Sequence, residues 1–331
     1  MSKETQSTIT KEELERCNDI ISSLNQYYSE RIVGQINLGR SLMIALMANG
    51  HILLESVPGL AKTTAAKVLT KAVNGRFSRI QCTPDLLPSD IVGTQIFNYS
   101  TNEFETKVGP IYSNFVLLDE VNRSSAKTQS ATLEAMQERQ ITIDGQIYKL
   151  PDVFIVIATQ NPIEQEGTYP LAEAQPDRFL LKEELTYPSA KEEIEVMNRL
   201  EKKVFDDNKS IRKLDDLKFL QEQTEKVYID DAIKNYIAQI IMVTRFASKY
   251  IEPTLASYVN LGASTRGAIA FMQASKALAL INGRDHVIPE DIKELRYSVL
   301  RHRVSLNFSA IADDVPVERI IDALFAVVPT P

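Results

Sequence analysis

Residues 51–67 read HILLESVPGLAKTTAAK, and this stretch decides the fold. The apolar run HILLES has the pattern of a buried strand, and the helical residues 64–73 follow a short turn that contains Pro58 and Gly59. A strand, a tight turn and a helix in this order direct backbone N–H groups and a helix N-terminus at one spot, where they cradle phosphates. The stretch therefore predicts a phosphate-binding loop in an α/β fold.

Two side chains at the end of this turn suit nucleotide chemistry. Lys62 is predicted to reach the terminal phosphates of a nucleotide, and Thr63 to offer its hydroxyl to Mg²⁺. The phosphate-loop pattern G-x-x-x-x-G-K-[ST] has glycines at two positions where this chain has Ser56 and Ala61. Taken alone, the turn is explained almost equally well as an ordinary strand-to-helix connection with a surface lysine.

Further apolar runs follow the first one, separated by amphipathic segments or hairpins: RFSRIQ, FVLLDE, VFIVIAT and FLLKEEL. Continuous apolar strands that alternate with helices predict a mostly parallel sheet covered on both faces. Two inserts interrupt this alternation. Residues 94–99 and 103–108 pattern as a hairpin within an insert at about 92–110, and residues 141–150 pattern as a second hairpin that turns at Asp144-Gly145.

Acidic and amide side chains follow two of the later strands. The run FVLLDE ends in Asp119 and Glu120, which is how a buried strand delivers one carboxylate to Mg²⁺ and the next to an attacking water. The run VFIVIAT is followed by Gln160 and Asn161. Because the carboxyl ends of parallel strands open onto the same edge of a sheet, the phosphate loop and these side chains are predicted to meet there.

Helical patterns flank this α/β region on both sides. Apolar residues recur every three or four positions in residues 11–28, 231–249 and 264–281, and residues 290–301 begin with the first-turn chemistry of a helix. We therefore predict three parts: an N-terminal helix at 1–30, a nucleotide-binding core at 31–203, and an all-helical domain at 204–331.

Composition excludes several classes of protein. The length of 331 residues suits about two domains. A net charge of −7 argues against a protein that coats nucleic acid or an anionic membrane. Only Cys17 and Cys82 are present, which excludes a disulfide framework and fits a reducing compartment, and the three histidines are too scattered for a metal cluster. No apolar run approaches the roughly 20 residues of a membrane helix, and the first residues lack the apolar core of a secretion signal. We expect a cytoplasmic protein that does not insert into membranes.

Three longer runs carry a family resemblance: LLESVPGLAKTTAAK, FVLLDEVNRSSAKTQSATLEAMQERQITIDG and FIVIATQNPIEQEGTYPLAEAQPDRFL. Together they resemble the MoxR family of AAA+ ATPases, which belongs to the helix-2-insert clade and is related to magnesium chelatase motor subunits. The resemblance is dense over residues 31–188, and GASTRGAIAF extends it into the helical domain. It implies a five-stranded parallel sheet between helices, a helical lid, and hydrolysis of ATP with Mg²⁺. Family members vary at the positions of Ser56 and Ala61, so we expect ATP binding to tolerate both.

The resemblance also implies roles for individual residues. Asn161 would be the polar sensor that positions the attacking water. Arg178 would be the arginine finger projected into a neighbouring subunit's site, with a surface salt bridge as the alternative. Arg266 would be a second sensor that reaches the γ-phosphate, with a solvated arginine at a helix start as the alternative. The implied nucleotide contacts are Ile32, Val33, Gly34 and Gln35 on the adenine, and Pro58, Gly59, Leu60, Ala61, Lys62, Thr63 and Thr64 on the phosphates.

Two questions stay open at this level. Arg123 either faces a neighbour's nucleotide or makes a salt bridge at a helix start. The resemblance implies a ring, most commonly of six subunits, that remodels or activates protein complexes or metalloenzymes, with a partner that carries a von Willebrand factor A domain. A chelatase-type motor subunit for metal insertion and a nucleotide-gated scaffold with little turnover are the alternatives, and the acidic charge disfavours a nucleic-acid translocase.

Overall fold

A computed structural model describes residues 9–57, 59–162, 169, 171–172, 174–201 and 209–331. In chain order its strands are β1 (Ile52–Glu55), β2 (Phe77–Gln81), β3 (Gly93–Asn98), β4 (Glu103–Val108), β5 (Phe115–Asp119), β6 (Gln140–Ile143), β7 (Gln146–Lys149), β8 (Ile155–Gln160), β9 (Leu181–Glu184), β10 (Val259–Leu261) and β11 (Ser305–Leu306). Its helices are α1 (Lys11–Arg31), α2 (Ile36–Met47), α3 (Lys62–Ala72), α4 (Pro88–Val92), α5 (Ala126–Glu138), α6 (Ala190–Glu201), α7 (Leu214–Lys226), α8 (Asp231–Arg245), α9 (Pro253–Ser257), α10 (Thr265–Ile281), α11 (Pro289–Glu294), α12 (Arg296–Leu300), α13 (Phe308–Ala312) and α14 (Val317–Ala326).

Five of these strands form one parallel sheet, in the order β2-β5-β8-β1-β9. The predicted five-stranded parallel sheet is confirmed. Successive side chains of a strand point to opposite faces, and both faces of this sheet are covered. In β1, for example, Ile52 and Leu54 belong to one hydrophobic cluster, whereas Leu53 belongs to another. This is why the central strands read as continuous apolar runs.

Both predicted hairpins are present. β3 pairs with β4 and β6 with β7, each pair antiparallel. The turn between β6 and β7 places Asp144 at φ 47° and Gly145 at φ 77°. Left-handed conformations at both central residues are the geometry of a type I′ turn, whose twist matches that of the flanking strands. At the base of the first hairpin, Gly93 has φ 112°, and a Cβ there would lie 2.4 Å from the carbonyl oxygen of Lys107.

The N-terminal helix begins at the predicted residue and runs three residues further, to Arg31. Thr10 caps it, because the Thr10 hydroxyl accepts a hydrogen bond from the backbone N–H of Glu13 while the Glu13 carboxylate accepts one from the backbone N–H of Thr10. Buried side chains of α1 join the hydrophobic cluster that includes α2, α3 and the C-terminal helices. The helix is therefore packed into the body of the protein.

The described part of the C-terminal region is mostly helical. Strands β10 and β11 pair antiparallel, and Tyr228 forms an isolated parallel bridge with His286; the prediction of an all-helical domain included neither. The predicted helix at 290–301 is two helices, α11 and α12, which meet at Leu295 (φ −79°, ψ −3°). The guanidinium of Arg296 donates a hydrogen bond to the carbonyl of Lys293 near the end of α11. The division of the chain at residues 30 and 203 stays a prediction. None of the helices within the described ranges is both long and apolar enough to cross a membrane.

His51 lies buried where β1 begins and links two neighbouring elements. Its Nδ1 accepts a hydrogen bond from the backbone N–H of Val156 (3.0 Å), and its Nε2 lies 3.2 Å from the carbonyl oxygen of Met136. The imidazole is therefore neutral, with its proton on Nε2. Burial lowers the pKa of His51 to about 3, and the charge of Arg139 acts in the same direction.

We expect folding stability to fall as the pH drops below about 6.5, the ordinary pKa of a histidine. Below that pH the unfolded chain binds a proton at His51, whereas the folded chain does not until the pH approaches about 3. This difference removes about 1.4 kcal/mol of unfolding free energy per pH unit. Urea unfolding at about pH 7.5 and about pH 5.5 measures it, and His51→Gln should flatten the dependence by that amount.

The matched control for this prediction is His286→Gln. The side chain of His286 is 52% exposed, so this variant removes an imidazole that the fold does not enclose. An equally steep loss of stability in His51→Gln and in the wild type would contradict the assignment.

Candidate functional site

The predicted phosphate loop leads directly into α3. The helix begins at Lys62, two residues earlier than predicted, because Ala61 adopts the left-handed conformation (φ 56°) and its carbonyl accepts the first helical hydrogen bond, from Ala65 (2.8 Å). Ala61 has no side-chain group that caps the helix. The N–H groups of the first turn are therefore left for other partners, and they form the positive end of the helix dipole. Pro58 lies outside the described residues.

Space for a phosphate exists beside this turn. Gly59 has φ 89°, and a Cβ built on it would meet no atom within 4 Å. Uncapped helical N–H groups, an open flank and the ammonium group of Lys62 together fit a phosphate chain. The left-handed conformation of Ala61 is one that glycine adopts freely and that costs other residues about 1–2 kcal/mol. Ala61 thus holds a conformation that favours glycine, at the position where the general pattern has a glycine.

A cavity of about 390 Å³ lies between the loop and the end of β5. Its lining combines the phosphate loop with residues from two strand ends, and the described members are Gly59, Leu60, Ala61, Lys62, Thr63, Thr64, Arg79, Gln81, Asp119 and Glu120. Burial lowers the pKa of Lys62, while the nearby charges of Asp119 and Glu120 act in the opposite direction. The structure therefore brings together the lysine, the hydroxyl and the two carboxylates that the sequence singled out.

Two oxygen donors in the same cavity suit Mg²⁺. Thr63 and Asp119 offer a hydroxyl and a carboxylate, the hard oxygen donors that Mg²⁺ prefers. Among the described residues, no group of three or more His, Cys, Asp and Glu side chains is arranged to enclose a metal ion. A site with few protein ligands suits Mg²⁺, because this ion keeps several waters and binds through the phosphates of its nucleotide.

Asp119, the last residue of β5, is held on both carboxylate oxygens. Its Oδ1 accepts a hydrogen bond from the hydroxyl of Thr159 (2.8 Å), and its Oδ2 accepts two from Arg79, at 3.1 Å from Nε and 2.6 Å from Nη2. The Thr159 hydroxyl also accepts a hydrogen bond from the backbone N–H of Glu120 (2.8 Å). One buried threonine on β8 therefore orients both acidic residues.

Glu120 adopts a left-handed backbone conformation, with φ 57°. Its Oε2 accepts hydrogen bonds from the amide of Gln81 (3.0 Å) and from the guanidinium of Arg123 (3.2 Å). For Arg123, the structure thus displays the salt bridge at a helix start, one of its two predicted alternatives. The carboxylate predicted to act on water is engaged by two side chains of its own subunit.

The sequence interpretation missed three residues of this cavity region: Arg79, Gln81 and Thr159. A weak signal for two of them exists, since Arg79 and Gln81 alternate on the strand RFSRIQ and are exposed while the intervening Ile80 is buried. In the sheet, Gln81 pairs directly with Asp119. Only the strand order, which single-sequence patterns do not provide, places these polar groups beside the acids.

Asn161 follows β8 directly and is 5% exposed. Its backbone carbonyl lies 3.5 Å from the side-chain amide of Asn122, which donates to it. Because β8 lies between β5 and β1 in the sheet, Asn161 stands at the edge between the strand of Asp119 and the strand that leads to the phosphate loop. It is not among the described residues that line the cavity, so its sensor role stays a prediction.

The predicted adenine segment lies beside the start of α6. The amide of Gln35 donates a hydrogen bond to the carbonyl of Thr186 (3.2 Å). Gly34 has φ 73°, and a Cβ there would lie 2.8 Å from the carboxyl group of Glu192. Val33 is partly buried. Ile32 and Gln35 line a separate cavity of about 430 Å³ rather than the phosphate cavity, so the contact of this segment with adenine stays a prediction.

Arg178 and Arg266 lie together in another cavity, of about 220 Å³. Arg139 and Arg303 line it as well, and Asp177 is the acidic residue among the described lining residues. The Nε of Arg178 is buried and has no hydrogen-bond partner among the residues described. The alternative of a surface salt bridge is therefore not seen for Arg178 in the described part of the chain. Arg266 lies at the start of α10, with Nη1 3.7 Å from the Asp177 carboxylate.

Comparison with known proteins supports these assignments of fold and class. Residues 51–181 match the family model described as ATPase family associated with various cellular activities (AAA), and residues 253–324 match the AAA lid domain. Chaperone MoxR1 of Mycobacterium tuberculosis is 44% identical over 91% of this chain and 79% of its own length. The uncharacterized protein YeaC of Bacillus subtilis is 43% identical over 96% of this chain and 97% of its own length.

A solved structure agrees with these sequence relatives. The crystal structure of a proposed ATPase from Cytophaga hutchinsonii superimposes with a TM-score of 0.91 at 44% identity, covering 97% of this chain and 98% of that one. The match includes both the parallel sheet and the helical region that follows it. The sequence relatives, the two matched domains and this structural neighbour agree. The chain belongs to the MoxR family of AAA+ ATPases.

Proposed function

We propose that this chain binds ATP with Mg²⁺ and hydrolyses it to ADP and phosphate at the interfaces of a ring of identical subunits. One observation carries the proposal. The phosphate loop and the acidic pair share one cavity, whereas Arg178 and Arg266 line a different cavity of the same chain. A transition state that needs both sets of groups is then assembled from two neighbouring subunits.

Within one subunit, the phosphate cavity supplies binding and proton transfer. Lys62 and the first-turn N–H groups of α3 bind the phosphates, and Thr63 and Asp119 would hold the metal. Mg²⁺, when bound, would neutralise charge on the phosphate oxygens. Arg79, which is half exposed, would have to release the Asp119 carboxylate for this. Glu120 turns from its own subunit's partners to a water molecule and accepts its proton.

The neighbouring subunit supplies positive charge. Arg178 stabilises the charge that develops on the γ-phosphate, an effect worth about 10³ to 10⁵ in rate for arginine fingers. Arg266 acts from the same side, because it shares a cavity and the carboxylate of Asp177 with the turn Pro176–Arg178, here called the finger turn. A head-to-tail contact of this kind generates a closed ring when its rotation closes, and we propose six subunits.

For the cellular role of the ring, we rely on the family to which the chain belongs. A relative named a chaperone supports a chaperone-like role, in which the hydrolysis cycle remodels or activates protein complexes or metalloenzymes in the cytoplasm. A second candidate, a nucleotide-gated scaffold, is favoured by one feature: hydrogen bonds from the same subunit engage both Asp119 and Glu120. The two candidates differ in turnover.

Mg²⁺-dependent ATP hydrolysis should rise per subunit as the protein concentration increases, because each complete site needs two subunits. Steady-state phosphate release across a concentration series, with sedimentation velocity alongside, measures both quantities. Glu120→Gln should abolish turnover and retain ATP binding, and Arg178→Ala should lower the turnover by about 10³-fold at any concentration. Tight binding of ATP without turnover in assembled wild-type rings would favour the scaffold instead.

Ala61→Gly should leave the affinity for a fluorescent ATP analogue within about tenfold of wild type, or about 1.4 kcal/mol. Ala61 already has the left-handed conformation that a glycine would provide, so the loop has the same shape in both proteins. Titration of the analogue measures the affinity. Binding that tightens beyond that limit in Ala61→Gly would mean that the methyl group obstructs the phosphates.

Ala65→Gly is the matched control for that substitution. Ala65 lies in the regular part of α3, where glycine is expected to destabilise the protein by about 1 kcal/mol without any relief of backbone strain. Glycine at position 61 should cost less stability than glycine at position 65. Equal losses of thermal stability would contradict a strained conformation at Ala61.

Arg79→Ala should lower the Mg²⁺ concentration needed for nucleotide binding by about fivefold, or roughly 1 kcal/mol. Arg79 occupies Asp119 by two hydrogen bonds and competes with the metal for that carboxylate, although half of its side chain is exposed and solvent weakens the competition. Titration of Mg²⁺ into Glu120→Gln protein with the fluorescent analogue isolates binding from turnover.

The same titration needs a control arginine. Arg76 directly precedes β2 and is exposed. Arg76→Ala therefore removes a nearby arginine and leaves the hydrogen bonds between Arg79 and Asp119 in place. An unchanged Mg²⁺ requirement in Arg79→Ala would show that the contact does not compete with the metal.

A further inference from the structure

The turn that carries Arg178 has little internal support. It is one 3₁₀ turn, Pro176–Arg178. The backbone N–H of Arg178 donates to the carbonyl of Gln175 (3.2 Å), and that of Phe179 to the carbonyl of Pro176 (3.0 Å). Hydrogen bonds of a single 3₁₀ turn are weaker than those of an α-helix. The position of the finger must therefore be set by other contacts.

Arg303, from the lid, supplies such contacts. Its side chain is only 2% exposed. Its Nε donates to the Asp177 carboxylate (2.9 Å), and its Nη2 donates to the carbonyls of Asp177 (3.2 Å) and Phe179 (2.5 Å). Its Nη1 donates to the carbonyls of Leu180 (3.1 Å) and Val299 (2.6 Å). Four of these five acceptors belong to residues 177–180, which comprise the end of the turn and the two residues that lead into β9.

His302 adds a second contact to the same backbone. Its Nε2 lies 3.1 Å from the Phe179 carbonyl, and its Nδ1 is buried without a partner among the described residues. Burial lowers the pKa of His302 well below its ordinary value, so the ring is neutral at physiological pH. The proton then lies on Nε2, where it can be donated to Phe179. Two consecutive lid residues thus grip one carbonyl next to Arg178.

Asp177 joins this arrangement to Arg266. Arg303 binds Oδ1 of Asp177, and the other carboxylate oxygen, Oδ2, accepts a hydrogen bond from the hydroxyl of Ser264 (2.7 Å). Ser264 caps α10. The same oxygen lies 3.7 Å from Nη1 of Arg266. A single carboxylate therefore connects the finger turn, the start of α10 and the buried arginine of the lid.

The buried ion pair between Arg303 and Asp177 requires the desolvation of two charges, which opposes folding. Burial lowers the pKa of Arg303 to about 10, opposed by the charge of Asp177, so the guanidinium remains charged at neutral pH. A buried ion pair often stabilises no better than apolar side chains of the same volume, but its directional hydrogen bonds impose one geometry. Arginine can span several acceptors with its planar fork, which lysine cannot.

We propose that Arg303 is a positioning residue for Arg178: together with Asp177 it locks the finger turn to the lid, so that Arg178 and Arg266 are presented to the neighbouring subunit as one unit. This inference rests on the proposed function, in which Arg178 acts on the neighbour's nucleotide. It assigns to the lid a task in trans, because movement of the lid moves the finger.

The test is Arg303→Lys, which keeps the charge and removes the fork. We expect kcat for ATP hydrolysis in assembled rings to fall about 30-fold, while the affinity for the fluorescent ATP analogue changes less than twofold. The phosphate cavity is lined by other residues, so binding in the same subunit should be spared. If Arg303→Lys does not fold, Arg303→Met replaces it, since it removes both the fork and the buried charge, while Asp177 keeps Ser264 and Arg266 as partners.

Arg284→Lys is the matched control. Arg284 also lies in the lid and forms a forked pair with a buried acid, with 2.9 Å and 2.5 Å between its two Nη atoms and the carboxylate of Asp291. Its hydrogen-bonded partners lie outside residues 175–180. Arg284→Lys should lower the melting temperature and leave kcat within about twofold. Equal kcat losses in Arg284→Lys and Arg303→Lys would show a general weakening of the lid and overturn the proposal.

Mixed rings separate positioning in trans from damage to the subunit's own site. A subunit with Arg303→Lys keeps an intact phosphate cavity, and a subunit with Glu120→Gln keeps an intact finger. Mixing these two impaired proteins in equal amounts should raise hydrolysis about sevenfold above Arg303→Lys alone, because about one interface in four then joins an intact site to an intact finger. Failure of this pair to complement, when Arg178→Ala with Glu120→Gln does complement, overturns the role of Arg303 and leaves the proposed function standing. Failure of the Arg178→Ala pair, or absence of wild-type hydrolysis, instead contradicts the proposed function.

Discussion

The edge of the sheet that carries the phosphate loop and the acidic pair depends on the parallel register of the central strands. β1, β8 and β5 lie side by side, with Glu55 opposite Gln160 and Leu118 opposite Ala158, so their carboxyl ends finish at the same level. A strand must be buried on both faces to hold such a position in a parallel sheet, and that requirement produces the apolar runs. The polar residues that follow each run then have only one place to go. Chemistry collects at this edge because the hydrophobic core fixes where each strand stops.

Two residues at that edge adopt backbone conformations that cost energy. Ala61 and Glu120 both have positive φ, at 56° and 57°, and neither is glycine. Ala61 turns the chain from the loop into α3, and Glu120 turns it from β5 into the short helical turn that follows. Strain of this kind persists where the surrounding structure determines it, and it is concentrated at functional sites. Here the support is visible, since Thr159 on β8 binds both the carboxylate of Asp119 and the backbone N–H of Glu120.

Much of this architecture follows from local sequence patterns. Apolar runs identify the strands, Asp144-Gly145 identifies a hairpin turn, and the phosphate loop lies between a strand and a helix as predicted. What the patterns miss depends on pairing between distant segments. Arg79 meets Asp119 across 40 residues of chain, and Arg303 meets Asp177 across 126. Neither contact leaves a periodic signal, because each residue occupies a position that is unremarkable for its own element. Ile32–Gln35 is the converse case, since its contact with adenine is predicted only from the family resemblance and no local pattern in the segment indicates it.

The ion pairs Arg79–Asp119 and Arg303–Asp177 differ in how far they are exposed to solvent. Arg79 is half exposed and shares its guanidinium between Asp119 and Gln81, so solvent can replace it at modest cost. Arg303 is enclosed, and removal of its partner would leave a charge in the interior, which typically costs several kcal/mol. An exchangeable contact suits Asp119, the carboxylate that we propose takes up a metal. A permanent one suits a turn whose position must stay fixed relative to the lid. The burial of each pair therefore matches the motion that its proposed role allows.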